Sequence, residues 1–241
     1  MDEQQRKQLD ELGYLIFKGL LSHAQIETIL SRLEELWLLE GERAGEENYI
    51  EPGVRRLANL ANKGEIFRGL YAHPQVLEVI QTVMGPEIRA SMVNARDVPP
   101  YVGVRMPFHM DSDNGRIRDE LGFSAATAIW MLDEFTMANG ATAFVPGSHL
   151  LRKSPKEVLV DLNASHPGEI VIEGQPGDVL VFNGHCWHAG RPNETNGHRR
   201  AILVHYLRAD VPRPENRRQH VDGDQANLLA PRERELLGLD D

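Results

Sequence analysis

A histidine and an aspartate stand two positions apart in the segment Phe-His-Met-Asp at 108–111. On an extended strand, side chains two residues apart point to the same face, so His109 and Asp111 can offer an imidazole nitrogen and a carboxylate oxygen to one point. Donors of these two kinds are suited to a divalent metal ion. A His-x-Asp pair alone occurs often by chance, so a metal site requires a further ligand from elsewhere in the chain.

A second candidate region, residues 177–190, contains His185 and His188. A Gly-Asp turn opens a strand there, and a further short strand carries the histidines. One of them would complete a set of two histidines and one carboxylate, which leaves three coordination positions open and suits non-haem Fe(II) oxygenases. The two histidines differ by three positions, so on a strand they face opposite sides.

An arginine at the start of an apolar strand is the third signal. Arg199 follows His188 by eleven residues and precedes the run Ala-Ile-Leu-Val at 201–204. A guanidinium that faces a buried cavity is costly unless a carboxylate meets it, and a dicarboxylate cosubstrate would supply that carboxylate. The alternative is a surface salt bridge, for which the adjacent Arg200 is also available; the spacing favours Arg199 as the cavity residue.

The elements that must position these residues change character near residue 87. Residues 1–86 are predicted to be mainly helical, with Ser22 as the N-cap of an amphipathic helix to about Glu40 and a second helix over 74–84. A strand is expected within 13–20. From 87 to 208, short apolar or β-rich runs alternate with Gly or Pro turns, which is typical of a sandwich or barrel. The expected strands of this part are 88–98, 103–110, 123–132, 142–145, 169–173, 178–183 and 199–207.

Composition limits the class of protein. The chain has 241 residues, a net charge of −10 and 41% hydrophobic residues, as an ordinary globular chain does. Without a visible linker we predict one domain over 1–241, with 209–241 as a C-terminal extension. The acidic balance argues against nucleic-acid and membrane-surface partners. A single cysteine, Cys186, excludes an intramolecular disulfide, and no signal pattern or membrane-length apolar run is visible, so we expect a cytoplasmic protein.

In this order and spacing, the motifs resemble those of the phytanoyl-CoA dioxygenase family of Fe(II)/2-oxoglutarate-dependent oxygenases. The resemblance covers roughly residues 9–207, including Gly-Tyr-Leu-Ile-Phe at 13–17. The segment from Asn139 to His149, Asn-Gly-Ala-Thr-Ala-Phe-Val-Pro-Gly-Ser-His, is particularly specific to the family. The fold that the resemblance implies is mainly β, a double-stranded β-helix or cupin-like jelly roll with helices packed outside it.

The resemblance also implies roles for individual residues. By position, the iron ligands are His109, Asp111 and His188. Arg199 corresponds to the residue that binds the distal carboxylate of 2-oxoglutarate, Thr142 to a position that helps to hold that carboxylate, and Trp130 to an aromatic residue near the cosubstrate. By the same resemblance His185 lies outside the ligand set, facing solvent or the surroundings of the ligands. His149 is expected to be a structural histidine bonded to backbone.

Two positions depart from the family pattern. Family members often have serine two residues after the distal histidine, where it contacts the cosubstrate, but this chain has Gly190. Between the first two ligands glutamine is frequent, and this chain has Met110, which on a strand points away from the metal.

The implied activity is hydroxylation of a small metabolite or natural product, with Fe(II), 2-oxoglutarate and O2 consumed or bound and succinate and CO2 released. Halogenases of the family replace the carboxylate ligand by a small residue, so Asp111 favours hydroxylation. Desaturation, epimerisation and cyclisation use the same ligands and stay open. A cupin-like metalloprotein that does not use 2-oxoglutarate and a catalytically silent jelly roll are the alternatives from other classes.

Several arginines flank the expected pocket and suggest an anionic substrate. They are Arg96, Arg105, Arg116, Arg118 and Arg191. Each alone is more typical of a solvated surface charge, and the hypothesis depends on their acting together. The loops 40–54 and 111–121 and the C-terminal segment are expected to form the entrance.

Overall fold

The computed structural model describes residues 1–47, 51–111, 119–212 and 219–239. Arg116 and Arg118 therefore lie outside the described residues, as does most of the loop 111–121. Helices dominate the first third of the chain and recur near its end. In chain order they are α1 (Glu3–Leu12), α2 (His23–Glu40), α3 (Arg68–Tyr71), α4 (Pro74–Met84), α5 (Pro155–Val158), α6 (Gly223–Ala226) and α7 (Pro231–Leu237), with short 3-10 turns at Gly41–Arg43, Leu60–Asn62, Glu65–Phe67 and Ser148–Leu151.

The two long N-terminal helices begin and end where the sequence predicts. Ser22 caps α2 through a reciprocal pair of hydrogen bonds with Gln25, which satisfies backbone and side-chain groups of the first turn. Pro74 occupies the first position of α4, where its missing N–H costs no hydrogen bond. The buried side chains of α2 and α4 join one hydrophobic cluster with the large sheet. The helices are thereby fixed as an outer layer.

Nine strands of the described residues form two antiparallel sheets. They are β1 (Tyr14–Phe17), β2 (Arg55–Leu57), β3 (Ile88–Val98), β4 (Ala125–Met131), β5 (Ala143–Val145), β6 (Ile170–Val171), β7 (Val179–Asn183), β8 (Trp187–Ala189) and β9 (Arg199–Arg208). The large sheet has the order β1-β7-β4-β9-β3-β2, and the small sheet has the order β6-β5-β8. The predicted mainly β fold with flanking helices is confirmed.

The large sheet buries both faces, and alternation along β4 shows how. Ala126, Ala128 and Trp130 belong to the cluster that contains the helices. Ile129 and Met131 belong to a second cluster, which also contains Phe144 of the small sheet and Phe182 of β7. Successive residues of a strand face opposite sides, so one face of the sheet supports the helices and the other faces the small sheet. The space between the two sheets is where a site can be enclosed.

One predicted strand is absent from the described structure. Residues 103–110 run without a strand, and only His109 forms an isolated bridge, to His188. Pro107 has no backbone N–H to donate to a ladder, and Gly103 has a φ of 98°, which an extended strand does not use. The other predicted strands are present with shifted ends. Among the described residues, no helix combines the length and apolar character needed to cross a membrane.

Candidate active site

Three side chains converge between the sheets. His188 lies on β8, and His109 and Asp111 lie on the irregular segment beside it. The Nε2 atoms of His188 and His109 are 3.4 and 4.0 Å from Asp111 Oδ1, and the possible ligand atoms of the three residues all lie within 4.8 Å of one another. In the described part of the chain this is the one such cluster of three or more candidate ligands.

Backbone pairing holds the three residues together without a full strand. The N–H of each histidine donates to the carbonyl of the other, at 3.0 and 3.1 Å. The Asp111 N–H donates to the Gly184 carbonyl at 2.7 Å. His109 and Asp111 therefore reach one point as the sequence predicts, although the bridge to β8, rather than a regular strand, aligns them.

Hydrogen bonds to backbone fix the tautomers of both histidines. His109 Nδ1 is 3.0 Å from the Pro107 carbonyl oxygen, and His188 Nδ1 is 3.0 Å from the Cys186 carbonyl oxygen. A carbonyl only accepts, so each Nδ1 carries the proton and donates it. Each Nε2 is then left with its lone pair directed towards Asp111, as a metal-ligating imidazole requires.

The charges of the cluster favour a cation. Burial opposes the negative charge of Asp111, but the surrounding histidines more than offset it, and the pKa of this carboxyl lies well below its usual range. Burial and the neighbouring His188 hold the pKa of His109 below its ordinary value. At neutral pH the cluster therefore presents a carboxylate and a neutral His109 imidazole, the forms that bind a divalent metal.

A cavity of about 140 Å³ extends from these ligands to Arg199. Arg199 is only 5% exposed, and among the described residues its Nε and Nη2 atoms have no hydrogen-bond partner. The Phe135 ring lies 5.0 Å from its guanidinium carbon. Burial and the neighbouring Arg96 lower the pKa of Arg199 to about 9, which still leaves it charged at neutral pH. A buried cation with two unmatched donors fits an incoming carboxylate.

The adjacent arginine has the opposite environment. Arg200 binds Asp133 through Nε and Nη2, both at 2.8 Å, and its backbone N–H also donates to that carboxylate. Consecutive residues of β9 face opposite sides, so Arg199 reaches the cavity and Arg200 forms the salt bridge that was its alternative.

A second charged group lies on the cavity wall. Glu51 accepts hydrogen bonds from Arg56 at 2.7 Å and from Arg96 Nε at 2.9 Å, and all three residues line the cavity. Burial alone would raise the pKa of Glu51, but the two guanidiniums lower it to about 2. The trio is thus ionised at neutral pH and carries one net positive charge.

Of the two residues assigned to the cosubstrate besides Arg199, only Thr142 lines the cavity. Trp130 lies on the helix-facing side of β4, fully buried, with its ring 5.4 Å from that of His73. The reason is strand alternation, because Ile129 next to it already faces the cavity. We correct the sequence-based assignment accordingly, and Trp130 is a core residue in the structure.

Gly190, the departure from the family pattern, also lines the cavity. A Cβ atom at this position would lie 3.1 Å from Met106 Cγ and 3.6 Å from Arg96 Nη2. Contacts this short are tighter than ordinary van der Waals packing. The absence of a side chain therefore gives Met106 and Arg96 room against the cavity.

The other histidines singled out from the sequence are buried outside the ligand cluster. His185 is 3% exposed and accepts a hydrogen bond from the Ser124 N–H at 3.1 Å, so it does not face solvent. Burial lowers its pKa to about 4. His149 contacts the Asp10 carbonyl through Nε2 at 3.2 Å, as expected of a structural histidine.

Only one of the flanking arginines that the structure describes reaches the cavity. Arg96 lines it, whereas Arg105 and Arg191 both bind Glu169, at 2.6 and 3.3 Å. Charge pairing with one buried carboxylate thus removes two members of the expected anion-binding group.

Sequence reasoning missed several residues of the cavity. Thr127 and Ile129 of β4 and Leu203 of β9 line it, and Thr127 Oγ1 is 2.7 Å from Asp111 Oδ2. Alternation from Arg199 through 201 to Leu203 was the available signal on β9. Glu51 gave no signal, because its partners are brought to it only by the fold.

Comparison with known proteins agrees with this geometry. The sequence profile of the family described as phytanoyl-CoA dioxygenase (PhyH) matches residues 9–201. The dioxygenase af480 of Aspergillus fumigatus is 28% identical over 244 residues, covering 98% of this chain and 77% of that protein. The Fe(II)/2-oxoglutarate-dependent dioxygenase nvfF of Aspergillus novofumigatus is 26% identical over 246 residues, covering 95% and 78%.

The crystal structure of SnoK, a non-haem α-ketoglutarate-dependent carbocyclase from nogalamycin biosynthesis, superposes with a TM-score of 0.70 at 21% identity. It covers 96% of this chain and 92% of its own, so the likeness extends over the whole fold. The predicted jelly-roll class is confirmed, and the predicted family with it. The profile match spans well over half of the sequence, and the chain belongs to the phytanoyl-CoA dioxygenase family.

Proposed function

We propose that this protein is a dioxygenase that uses Fe(II), 2-oxoglutarate and O2 to hydroxylate a small molecule, with release of succinate and CO2. One observation carries the proposal. Three ligand atoms of two histidines and one carboxylate lie within 4.8 Å of one another at a cavity that also contains an unmatched buried guanidinium. Membership of the family supports the same enzyme class and the same cofactors.

Each group of the site has a distinct task in this proposal. His109, Asp111 and His188 hold the metal, which when bound supplies the activation of O2 and the oxidation of the substrate. Arg199 receives the distal carboxylate of 2-oxoglutarate through its unmatched nitrogens and so orients the cosubstrate. Thr142 lies on the same cavity and lengthens the polar part of its wall.

Apolar side chains complete the enclosure. Ile129, Phe182 and Leu203 line the cavity between the metal ligands and Arg199. They exclude water from the space where the cosubstrate and the reacting substrate bond lie. A dry cavity strengthens the electrostatic contacts inside it and limits side reactions of the oxidant.

The charge of the cavity favours an anionic substrate. Its described lining contains three guanidiniums and two carboxylates, and the charges of Fe(II) and of a 2-oxoglutarate dianion cancel. The trio of Glu51, Arg56 and Arg96 holds the remaining positive charge, and Arg96 is the only one of the predicted flanking arginines in the described lining. We therefore expect a carboxylate or phosphate group on the substrate to approach this trio.

Cyclisation is the second candidate reaction, because a structural relative over the whole fold is a carbocyclase. The two outcomes differ in mass: hydroxylation adds one oxygen atom to the product, whereas cyclisation removes two hydrogen atoms. Halogenation is disfavoured because Asp111 retains the carboxylate that a halide would replace.

The experiment is aerobic incubation of the Fe(II)-loaded protein with 2-oxoglutarate and a panel of small molecules in matched anionic and neutral forms. Succinate release and product mass are the readouts, with Asp111→Ala as the inactive control. We expect succinate release stimulated by anionic members, reduced in Arg96→Gln and unchanged in Arg105→Gln, whose arginine lies outside the cavity. No stimulation by any member above the Asp111→Ala background contradicts the proposal, and equal use of neutral forms contradicts the anionic substrate.

Three expectations from the sequence stay predictions. They are the single domain over residues 1–241, the cytoplasmic location and the absence of a nucleic-acid partner. We propose all three on the composition and charge of the chain.

A further inference from the structure

Two buried polar residues stand behind the carboxylate ligand. Thr127 of β4 and His205 of β9 are directly opposite each other in the antiparallel pairing of these strands. They are 3% and 2% exposed. Thr127 Oγ1 is 2.7 Å from Asp111 Oδ2 and 3.0 Å from His205 Nδ1, so the three side chains form one line of hydrogen bonds.

The direction of these hydrogen bonds follows from the groups themselves. An ionised carboxylate only accepts, so the single hydroxyl proton of Thr127 is donated to Asp111. Oγ1 can then only accept from His205, and Nδ1 of that histidine must carry the proton that it donates. The chain of donors runs from His205 through Thr127 to Asp111.

The two oxygens of Asp111 consequently have different surroundings. Oδ1 faces Nε2 of His188 and of His109, at 3.4 and 4.0 Å, on the side where the metal ligands converge. Oδ2 is held by the Thr127 hydroxyl. A carboxylate held in this way offers one oxygen to a metal and keeps the other engaged.

We infer that Thr127 and His205 are positioning residues that make Asp111 a one-oxygen ligand, an inference that rests on the proposed iron site. Octahedral coordination has six positions, of which the protein fills three. If Asp111 bound through both oxygens, it would take one of the positions that 2-oxoglutarate and O2 require. The hydroxyl of Thr127 opposes that rotation, and the Nδ1–H of His205 fixes the hydroxyl.

Two matched pairs of variants test this inference from opposite ends of the line. Thr127→Val keeps the shape and removes the hydroxyl, whereas Thr127→Ser keeps the hydroxyl and removes the methyl. His205→Phe removes the donor, whereas His205→Asn places an amide N–H near the position of Nδ1. The readouts are Co(II) affinity by chelator competition and the visible d–d spectrum of the Co(II) protein, which reports coordination number. Far-UV circular dichroism shows whether each variant is folded.

We expect Thr127→Val to weaken Co(II) binding by about 10–100-fold and to change the d–d spectrum, as loss of a group behind a metal ligand typically does. Thr127→Ser and His205→Asn should lie within about threefold of wild type, whereas His205→Phe should follow Thr127→Val. Unchanged affinity and spectrum in both Thr127→Val and His205→Phe would overturn the inference. Equal damage in the Ser and Val variants would also overturn it, because the methyl group would then be what matters. Failure of the wild type to bind Co(II) would instead refute the proposed metal site, on which the inference depends.

Discussion

Replacement of Arg199 by methionine should weaken cosubstrate binding and, at the same time, stabilise the protein without ligands. The guanidinium is 5% exposed, and within the described structure its Nε and Nη2 have no partner. Hydrogen bonds to a charged group contribute about 1.5–3 kcal/mol each, so two of them to 2-oxoglutarate contribute about 3–6 kcal/mol. This corresponds to an increase of about 10²–10⁴-fold in the Kd for 2-oxoglutarate.

The gain in stability has the same origin. A buried donor without a partner costs about 1–3 kcal/mol, and Arg199→Met removes such donors while it keeps a long apolar side chain over Phe135. Each kcal/mol raises the Tm of a chain of this length by about 2–4 °C. Isothermal titration of 2-oxoglutarate into the Ni(II)-loaded protein and urea unfolding of the metal-free protein measure the two effects.

Arg200→Met is the matched control. This arginine is paired with Asp133, and its side chain is partly exposed, so its loss should cost about 1 kcal/mol of stability or less. Its distance from the cavity should leave the Kd for 2-oxoglutarate unchanged. The reasoning is refuted if Arg199→Met binds 2-oxoglutarate within threefold of wild type, or if its metal-free form is less stable than wild type.

Three further predictions test other parts of the site. Trp130→Phe should lower the free energy of unfolding by about 1–3 kcal/mol without changing the Kd for 2-oxoglutarate, since Trp130 packs on the helix side; a weaker affinity at full stability would contradict this. The pKa of Glu51 is lowered to about 2, so its charge stabilises the folded state by about 3 kcal/mol above about pH 5, and this is lost as the pH falls towards 2. Urea unfolding at pH 7 and pH 3 should show that loss in wild type and far less of it in Glu51→Gln. Ni(II) at a hundred times its Kd should stabilise wild type by about 2.7 kcal/mol and His188→Ala hardly at all, measured by thermal unfolding.

The sequence predicts most of the helical and sheet elements because their signals are local. The capping box at Ser22, the proline at the start of α4 and the β-rich runs each depend on residues within one element. The segment 103–110 fails this rule, since its apolar composition suggests a strand, whereas Pro107 and Gly103 interrupt the ladder.

The site divides in a similar way. The spacing from His109 to Asp111 and from His188 to Arg199 is visible in the sequence, and the structure brings these four residues to one cavity. Trp130 shows the limit of positional transfer, because a shift of one residue along a strand moves a side chain from the cavity to the opposite face.

Contacts between distant segments cannot be predicted in this manner. Glu51 meets Arg96 across 45 residues, and Thr127 meets His205 across 78. Only the pairing of strands and the packing of the sheets place these groups together. The groups that a local pattern leaves out are therefore those that set the charge of the cavity and the orientation of Asp111.

The most direct test of the central claim is anaerobic titration of the metal-free protein with Fe(II) and 2-oxoglutarate, observed through the visible metal-to-ligand charge-transfer band. We predict a band that saturates at one Fe(II) per chain in wild type, disappears in His109→Ala and requires far more 2-oxoglutarate in Arg199→Met. A folded, iron-loaded wild type without the band would contradict the account and favour a cupin-like metalloprotein that does not use 2-oxoglutarate.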